Sequence, residues 1–198
     1  MVLLKIKHPL TIFIIRTTVF WFLLLVTFNK VQAEEVYVYK DKDAPENIFT
    51  FLMLGGDSQR LKIDADFNVI FKKGISSIKI SYYPHTSDKN GWVRLSWQKT
   101  GSYNLTGARK LSFFARGENG GEVVEFELGS LSSAHLDSDS AASGPVMLTK
   151  DWQEYKIILF GLDLSRITNG FSCVINRFDN REGIVFYLDE IKFEREVK

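Results

Sequence analysis

The chain has little of what disulfide cross-linking and common catalytic mechanisms require. Among 198 residues there is one cysteine, Cys173, so no intrachain disulfide can form. The three histidines belong to no H-E-x-x-H motif, and no G-x-S-x-G elbow occurs. Lysine and arginine (25) balance aspartate and glutamate (24), which argues against a basic, nucleic-acid-binding surface. We therefore expect a fold stabilised by packing, and a binding protein rather than an enzyme.

Residues 1–33 have the pattern of a secretory signal peptide. Basic residues precede a compact apolar run, Thr17 to Phe28, and Val31-Gln32-Ala33 resembles a signal-peptidase site. The run is shorter than the ~20 residues of a membrane-spanning helix. We expect cleavage before Glu34, a secreted or periplasmic protein, and no membrane contact afterwards. An uncleaved N-terminal anchor is the alternative.

The remainder, 34–198, is predicted to form a single domain. Its basic and acidic residues no longer balance, because the signal contains four basic residues and no acidic one: Lys5, Lys7, Arg16 and Lys30. The mature chain is therefore slightly acidic, which again disfavours nucleic acid as a partner.

Short runs of alternating apolar and polar residues dominate this domain. Such period-2 runs, broken by Gly, Asn and Asp, are typical of half-buried antiparallel strands. The predicted inward positions are Leu111, Phe113 and Ala115; Val124, Phe126 and Leu128; and Tyr155, Ile157 and Leu159. We interpret Ser130–Gly144 as a long loop and Leu162–Ile167 as one short helical turn. The pattern predicts an all-β fold, a two-sheet antiparallel β-sandwich.

Two tryptophans on one predicted strand indicate where a ligand would bind. Trp92 and Trp97 are separated by an odd number of positions, so their rings point to opposite faces. The alternation of Val93 and Leu95 predicts that Trp97 faces inward and Trp92 outward. An exposed ring stacks on the apolar face of a sugar, while amide and charged groups bind its hydroxyls.

A series of short phrases, in order, carries a resemblance that covers nearly all of the mature chain. The phrases are Gly91-Trp92, Trp97-Gln98, Leu105-Thr106-Gly107, Phe113-Phe114-Ala115-Arg116-Gly117, Gly120-Gly121-Glu122, Lys150-Asp151-Trp152, Asp163-Leu164-Ser165, Gly170-Phe171 and Phe186-Tyr187-Leu188-Asp189. They resemble jelly-roll, galactose-binding-like domains that act as carbohydrate-binding modules. Relatives tend to carry aromatic residues where Ser96 and Cys173 stand here.

The resemblance implies a non-catalytic domain that binds poly- or oligosaccharide. Together with the outward positions of the strands, it predicts a polar row across one sheet face beside an aromatic platform. The predicted ligand-binding residues are Trp92, Gln98, Phe114, Arg116, Glu125 and Asn176. A solvated sheet face is the structural alternative, in which Arg116 merely pairs with outward-facing glutamates across a hairpin.

Two other functions remain open at this point. The same face would suit a protein partner, as in assembly-factor relatives of the fold. Glu125 and Glu127 share one face at a spacing of roughly 7 Å, which lies within the range of glycosidase carboxylates.

A structural calcium ion is also implied by the resemblance. Such modules often hold Ca²⁺ between the first and last strands, and Asp189 matches the C-terminal aspartate of that site. Asp41 or Asp43, just after the first strand, is its expected partner. Ca²⁺ requires six to eight oxygen ligands.

Overall fold

The computed structural model describes residues 34–85, 91–130 and 137–195. The predicted signal peptide lies outside these residues. Within them the chain forms eleven strands and one short 3₁₀ turn, Ser58–Arg60. The strands are β1 Glu34–Tyr39, β2 Phe51–Gly56, β3 Leu61–Phe67, β4 Ser77–Tyr82, β5 Trp92–Tyr103, β6 Ala108–Gly117, β7 Val123–Leu128, β8 Ala141–Met147, β9 Gln153–Ile158, β10 Ile167–Asn176 and β11 Ile184–Arg195.

The strands form two antiparallel sheets. The first sheet has the order β3-β4-β11-β6-β9, and β1 also pairs with β11. The second sheet has the order β2-β5-β10-β7-β8. Consecutive strands such as β5 and β6, or β10 and β11, lie in opposite sheets, as in a jelly roll. The predicted all-β antiparallel sandwich is confirmed.

The core lies between the inner faces of the two sheets. It is formed by the apolar side chains that the alternating pattern predicts to point inward. Phe113 of the first sheet meets Phe126 and Phe171 of the second, with ring centroids 4.5 Å and 5.1 Å apart. All three rings are buried, and burial of each contributes about 1.5–3 kcal/mol. The Cys173 thiol is also fully buried in this core, and burial raises its pKa well above the ordinary value.

Two local expectations are wrong. The C-terminal part of the predicted Ser130–Gly144 loop belongs to β8, which lies at the edge of the second sheet and tolerates Pro145 there. Residues 162–166 form no helical turn, because their backbone groups make hydrogen bonds that are not those of a helix. The carbonyl of Leu164 accepts from the amide of Leu105, and the Asp163 carboxylate accepts from the amide of Ser165.

Among the residues that the structure describes, no helix has the length and apolar character needed to cross a membrane.

Candidate functional site

The outer face of the second sheet presents every second residue of β5. Val93, Leu95 and Trp97 are buried in the core, so the residues between and beside them point outward. These outward residues are Trp92, Arg94, Ser96 and Gln98. The predicted orientations of Trp92 and Trp97 are thus confirmed: Trp92 is 44% exposed, whereas Trp97 is 7% exposed.

Pairing with the neighbouring strands completes a cavity of about 480 Å³ over β5. Asn176 and Val174 on β10 lie directly opposite Trp92 and Arg94. The cavity is lined by Met53, Trp92, Arg94, Ser96, Gln98, Ser130, Asn169, Val174 and Asn176. We call this surface the β5 face. It combines an aromatic ring, a thioether, amides and a guanidinium.

Glycines seat the Trp92 ring at one end of the β5 face. A Cβ on Gly55 would lie 3.6 Å from the indole, and one on Gly56 would lie 2.9 Å from it. Gly56 also has φ +70°, a conformation that other residues adopt at a cost. The Gly55-Gly56 backbone therefore allows the ring to lie close against β2 while much of it remains open to solvent.

The floor of the β5 face is a buried hydrogen-bond network. The hydroxyl oxygens of Ser96 and Ser172 are 2.9 Å apart, and the Asn169 amide donates to Ser172 over 2.8 Å. Gln98 is only 5% exposed and contacts the sulfur of Met53 at 3.7 Å. These bonds fix the side chains before any ligand arrives. Gln98 therefore lines the cavity from below, and Asn176 is the more exposed amide.

An ion pair crosses the β5 face. A guanidinium nitrogen of Arg94 lies 2.9 Å from a carboxylate oxygen of Glu127 on β7. Burial raises the pKa of Glu127, the nearby Arg94 charge opposes that rise, and the negative charge of Glu125 adds to it. Arg94 is half-buried and oriented by this pair, so it presents hydrogen-bond donors in a fixed direction.

The structure brings together four of the six predicted ligand-binding residues. Trp92, Gln98 and Asn176 line the β5 cavity, and Glu125 lies on the same outer face beside them, opposite Val174. Phe114 and Arg116 do not join them.

Phe114 and Arg116 lie on β6, in the first sheet, and point to the opposite side of the sandwich. The prediction that one polar row unites Arg116 with Gln98 is therefore wrong. The physical reason is topological: β5 and β6 follow each other along the chain, but each pairs within its own sheet.

Sequence reasoning missed several lining residues of the β5 face. Arg94 and Ser96 follow Trp92 at even spacings, so alternation alone places them beside it. Met53 and Asn169 carry no such signal. They reach the face only through the register that pairs Met53 with Ser96, and through the bulge near Asn169 on β10.

The predicted calcium ligands bind backbone amides. One oxygen of Asp41 accepts from the amides of Ile75 and Ser76, each at 3.0 Å. One oxygen of Asp189 accepts from the amides of Lys72 and Lys73, at 2.7 and 2.9 Å. Asp41 thus anchors the β3–β4 loop to the turn after β1, and Asp189 anchors it to β11.

This arrangement does not fit a calcium ion. N–H groups point their positive ends at the oxygens that Ca²⁺ would need. The other oxygen of Asp189 accepts from the amide of Glu190. Within residues 34–85, 91–130 and 137–195, no cluster of three or more His, Cys, Asp or Glu is placed to hold a metal. Calcium binding stays a prediction without a ligand set in this part of the chain.

A second cavity of about 460 Å³ opens at the edge of the sandwich, near the turn after β1. Tyr39, Phe49 and Trp97 form its inner wall, and Lys42 and Asp43 form its rim. The three rings are almost fully buried and belong to the core. The cavity therefore offers a ligand less exposed aromatic surface than the β5 face does.

The fold is similar to that of solved carbohydrate-binding modules. A family 30 module matches with a TM-score of 0.56 and 20% identity, over 82% of this chain and 99% of that chain. The family 30 module of a cellulosomal cellulase of Clostridium thermocellum matches with a TM-score of 0.54 and 21% identity, over 83% and 99%. A mutant family 29 module complexed with cellulohexaose matches with a TM-score of 0.51 and 12% identity, over 83% and 92%.

These similarities show that the chain has the jelly-roll sandwich of carbohydrate-binding modules. No family model and no curated protein matches the sequence.

Proposed function

We propose that this protein is an exported, non-catalytic carbohydrate-binding domain whose ligand binds on the β5 face. The observation that carries the proposal is Trp92: a large aromatic ring, 44% exposed, at one end of a cavity lined by amides and a guanidinium. A cavity that combines an apolar ring with a few convergent polar groups is the usual composition of a small-ligand site. The similarity of the fold to carbohydrate-binding modules supports the same function.

Binding would use two kinds of contact. The Trp92 ring stacks against the C–H face of one sugar ring and removes apolar surface from water. Asn176 and Arg94 then bind hydroxyls of the same sugar or its neighbour, since planar amide and guanidinium groups suit adjacent hydroxyls. Because Ser96 occupies the middle of the face, only one ring-stacking position is present on β5. The ligand is therefore a short stretch of sugar chain.

The non-catalytic nature of the domain is supported by the arrangement of its carboxylates. Glu127 is engaged by Arg94 at 2.9 Å, so its carboxylate already has a structural partner within the sheet. The fold neighbours named above are binding modules rather than enzymes. Turnover of a chromogenic glycoside that Glu125→Gln abolishes would overturn this assignment.

Glycan-array binding and titration of the hits test the proposal. We expect Trp92→Ala to weaken binding by about tenfold or more, since loss of a stacked ring removes roughly 1.5–3 kcal/mol. Phe160→Ala is the matched control, because Phe160 is 76% exposed and follows β9 of the first sheet. Equal affinities of the Trp92→Ala and wild-type proteins would remove the β5 face from consideration, and a stoichiometric protein partner without any glycan signal would favour a protein-interaction role.

A further inference from the structure

Three asparagine–glycine pairs occur in the sequence. Asn119-Gly120 belongs to the turn between β6 and β7, and Asn169-Gly170 belongs to β10. Asn90 of the third pair lies outside the described residues. An asparagine before glycine can lose ammonia spontaneously, because no Cβ on the glycine shields its backbone nitrogen from the asparagine side chain. The surroundings of the two described pairs decide which of them reacts.

The Asn119-Gly120 pair is open to solvent. Both residues are exposed, and the turn that contains them has no regular secondary structure. Within residues 34–85, 91–130 and 137–195, the side-chain amide of Asn119 has no hydrogen-bond partner. This side chain is therefore free to rotate toward the Gly120 nitrogen.

The hydrogen bonds of the turn bypass the Gly120 nitrogen. The backbone amide of Asn119 donates to the Glu122 carboxylate over 2.8 Å, and that of Gly121 donates to the carbonyl of Leu148 over 2.8 Å. The Gly120 amide lies between these two donors and has no acceptor in the described part of the chain. A hydrogen-bonded nitrogen must first break its bond before it can attack a carbonyl carbon, and the Gly120 nitrogen has no such bond to break.

Asn169 is fixed inside the second sheet. It is 1% exposed, and its amide nitrogen donates to the Ser172 hydroxyl over 2.8 Å and to the Gly129 carbonyl over 3.0 Å. Gly170 packs so closely against Phe49 that a Cβ there would lie 2.5 Å from the ring. The sheet must open locally before the Asn169 side chain can move toward the next nitrogen.

We propose that Asn119 is a site of spontaneous deamidation in the folded protein. The Gly120 nitrogen gives its proton to water and attacks the side-chain carbonyl carbon of Asn119. A new C–N bond closes a cyclic imide, the bond to the amide nitrogen breaks, and ammonia leaves after taking a proton from water. Water then opens the imide at either carbonyl and leaves aspartate or isoaspartate at this position. The reaction is a hydrolysis, in which nothing is oxidised or reduced, and it is independent of the function proposed for the β5 face.

Both products change the turn. Each adds a carboxylate beside Glu118 and close to Glu122, and like charges at short range repel. Isoaspartate also carries the main chain through the side-chain carbon, which adds one atom to a turn that hydrogen bonds fix at residues 119 and 121. We therefore expect a lower unfolding midpoint for the deamidated fraction than for the fresh protein.

Peptide mapping by mass spectrometry during storage in mildly alkaline buffer tests the proposal. The same protein unfolded in urea is the reference, because both pairs are then open to solvent. In the folded protein we expect Asn119 to react within about tenfold of its rate in urea, and Asn169 to react about a hundredfold or more slowly than in urea. An isoaspartyl methyltransferase assay identifies the isoaspartate product.

Two alanine variants separate access to the nitrogen from strain in the turn. Gly120→Ala places a Cβ beside the attacking nitrogen and should slow the reaction by about tenfold or more. Gly121→Ala is the matched control, because Gly121 has φ +97° against +85° for Gly120 and a Cβ there would meet open space. The control should react at the wild-type rate. Asn119→Gln should also stop the loss of ammonia, and it provides the test if Gly120→Ala does not fold.

Three outcomes would overturn the inference. Equal protection of Asn119 and Asn169 in the folded protein would mean that the turn is as closed as the sheet. Equal slowing in Gly120→Ala and Gly121→Ala would mean that strain in the turn, rather than access to the nitrogen, sets the rate. Loss of ammonia from the mapped turn peptide at an unchanged rate in Asn119→Gln would place the reaction at another residue.

Discussion

The hydroxyl oxygens of Ser96 and Ser172 lie 2.9 Å apart and join β5 to β10 through their side chains. Asn169 extends the link, since its amide nitrogen is 2.8 Å from the Ser172 oxygen and 3.0 Å from the carbonyl of Gly129. The three side chains are almost fully buried beneath the β5 face. A buried polar group without a partner costs free energy, so this network stabilises the sheet only as a complete set.

Removal of one hydroxyl from this network should therefore be costly. We expect Ser172→Ala to lower the free energy of unfolding by about 1–3 kcal/mol, because it leaves Asn169 and Ser96 without their shared partner. Ser96→Ala should cost less, since Ser172 keeps its bond to Asn169. Urea unfolding of both single variants and the double variant gives the coupling energy. Strict additivity of the two changes would contradict a shared network.

The close packing of Trp92 against Gly56 gives a second prediction, on stability and fluorescence. An alanine Cβ there would lie 2.3 Å from the carbonyl oxygen of Trp92 and 2.9 Å from its indole, and the position has φ +70°. Gly56→Ala should lower stability by about 1–3 kcal/mol and shift the fluorescence of the displaced Trp92. Gly101→Ala is the matched control, since Gly101 has φ +76° but open space around it. An identical fluorescence change in both variants would argue against direct contact between Gly56 and the ring.

Much of the fold can be predicted from the sequence because its core strands alternate cleanly. The buried Val93 and Leu95 on one strand and the buried Val124 and Phe126 on another follow that alternation. β8 cannot be predicted from the sequence, because Gly144 and Pro145 interrupt the alternation of apolar and polar residues. A strand that contains Pro145 is possible because β8 lies at the edge of its sheet.

The site is less predictable than the fold. Alternation predicts the outward orientation of Trp92 correctly, because this orientation depends only on the residues of its own strand. Arg116 is placed wrongly, because its face depends on which sheet β6 joins. That assignment depends on pairing with β11, about 70 residues further along the chain. Local patterns contain no information about such long-range pairing.

Close packing around Gly170 gives a third prediction. A Cβ at Gly170 would lie 2.5 Å from a ring carbon of Phe49, which is 1% exposed. The buried ring cannot move into solvent, so Gly170→Ala should lower the free energy of unfolding by about 1–3 kcal/mol. Adding Phe49→Leu should recover part of the loss by making room. A double variant whose loss equals the sum of the two single losses would show that the ring is not the obstacle.

Thermal unfolding decides the question of calcium. Because Asp41 and Asp189 accept backbone amides of the β3–β4 loop, we expect the same midpoint in EDTA and in calcium chloride. Asp41→Asn should lower stability by about 1 kcal/mol in both conditions, because its amide oxygen still accepts from Ile75 and Ser76 but lacks the charge that strengthens these bonds. Asp43→Asn, exposed in the same turn, is the control. A midpoint that rises with calcium, and no longer does so in Asp41→Asn, would establish a metal site.

Burial of Glu127 makes the stability of the protein depend on pH. Burial raises the pKa of Glu127 above its ordinary 4.5, so between 4.5 and the raised pKa the folded protein retains a proton that the unfolded chain has lost. Raising the pH through this window therefore lowers the free energy of unfolding, and Glu127→Gln removes this contribution. We expect the stability of the wild type relative to Glu127→Gln to decrease as the pH rises from the ordinary pKa of glutamate through the raised pKa of Glu127.

Urea unfolding at several pH values measures this difference. Glu125→Gln on the same strand is the control, because the Glu125 charge only adds to the rise in the pKa of Glu127. Glu125→Gln should keep most of the pH dependence of the wild type, because the main cause of the raised pKa is burial of Glu127 itself. A wild-type stability that increases with pH relative to Glu127→Gln would mean that the attraction of Arg94 outweighs burial, and that the ion pair, rather than desolvation, controls this carboxylate.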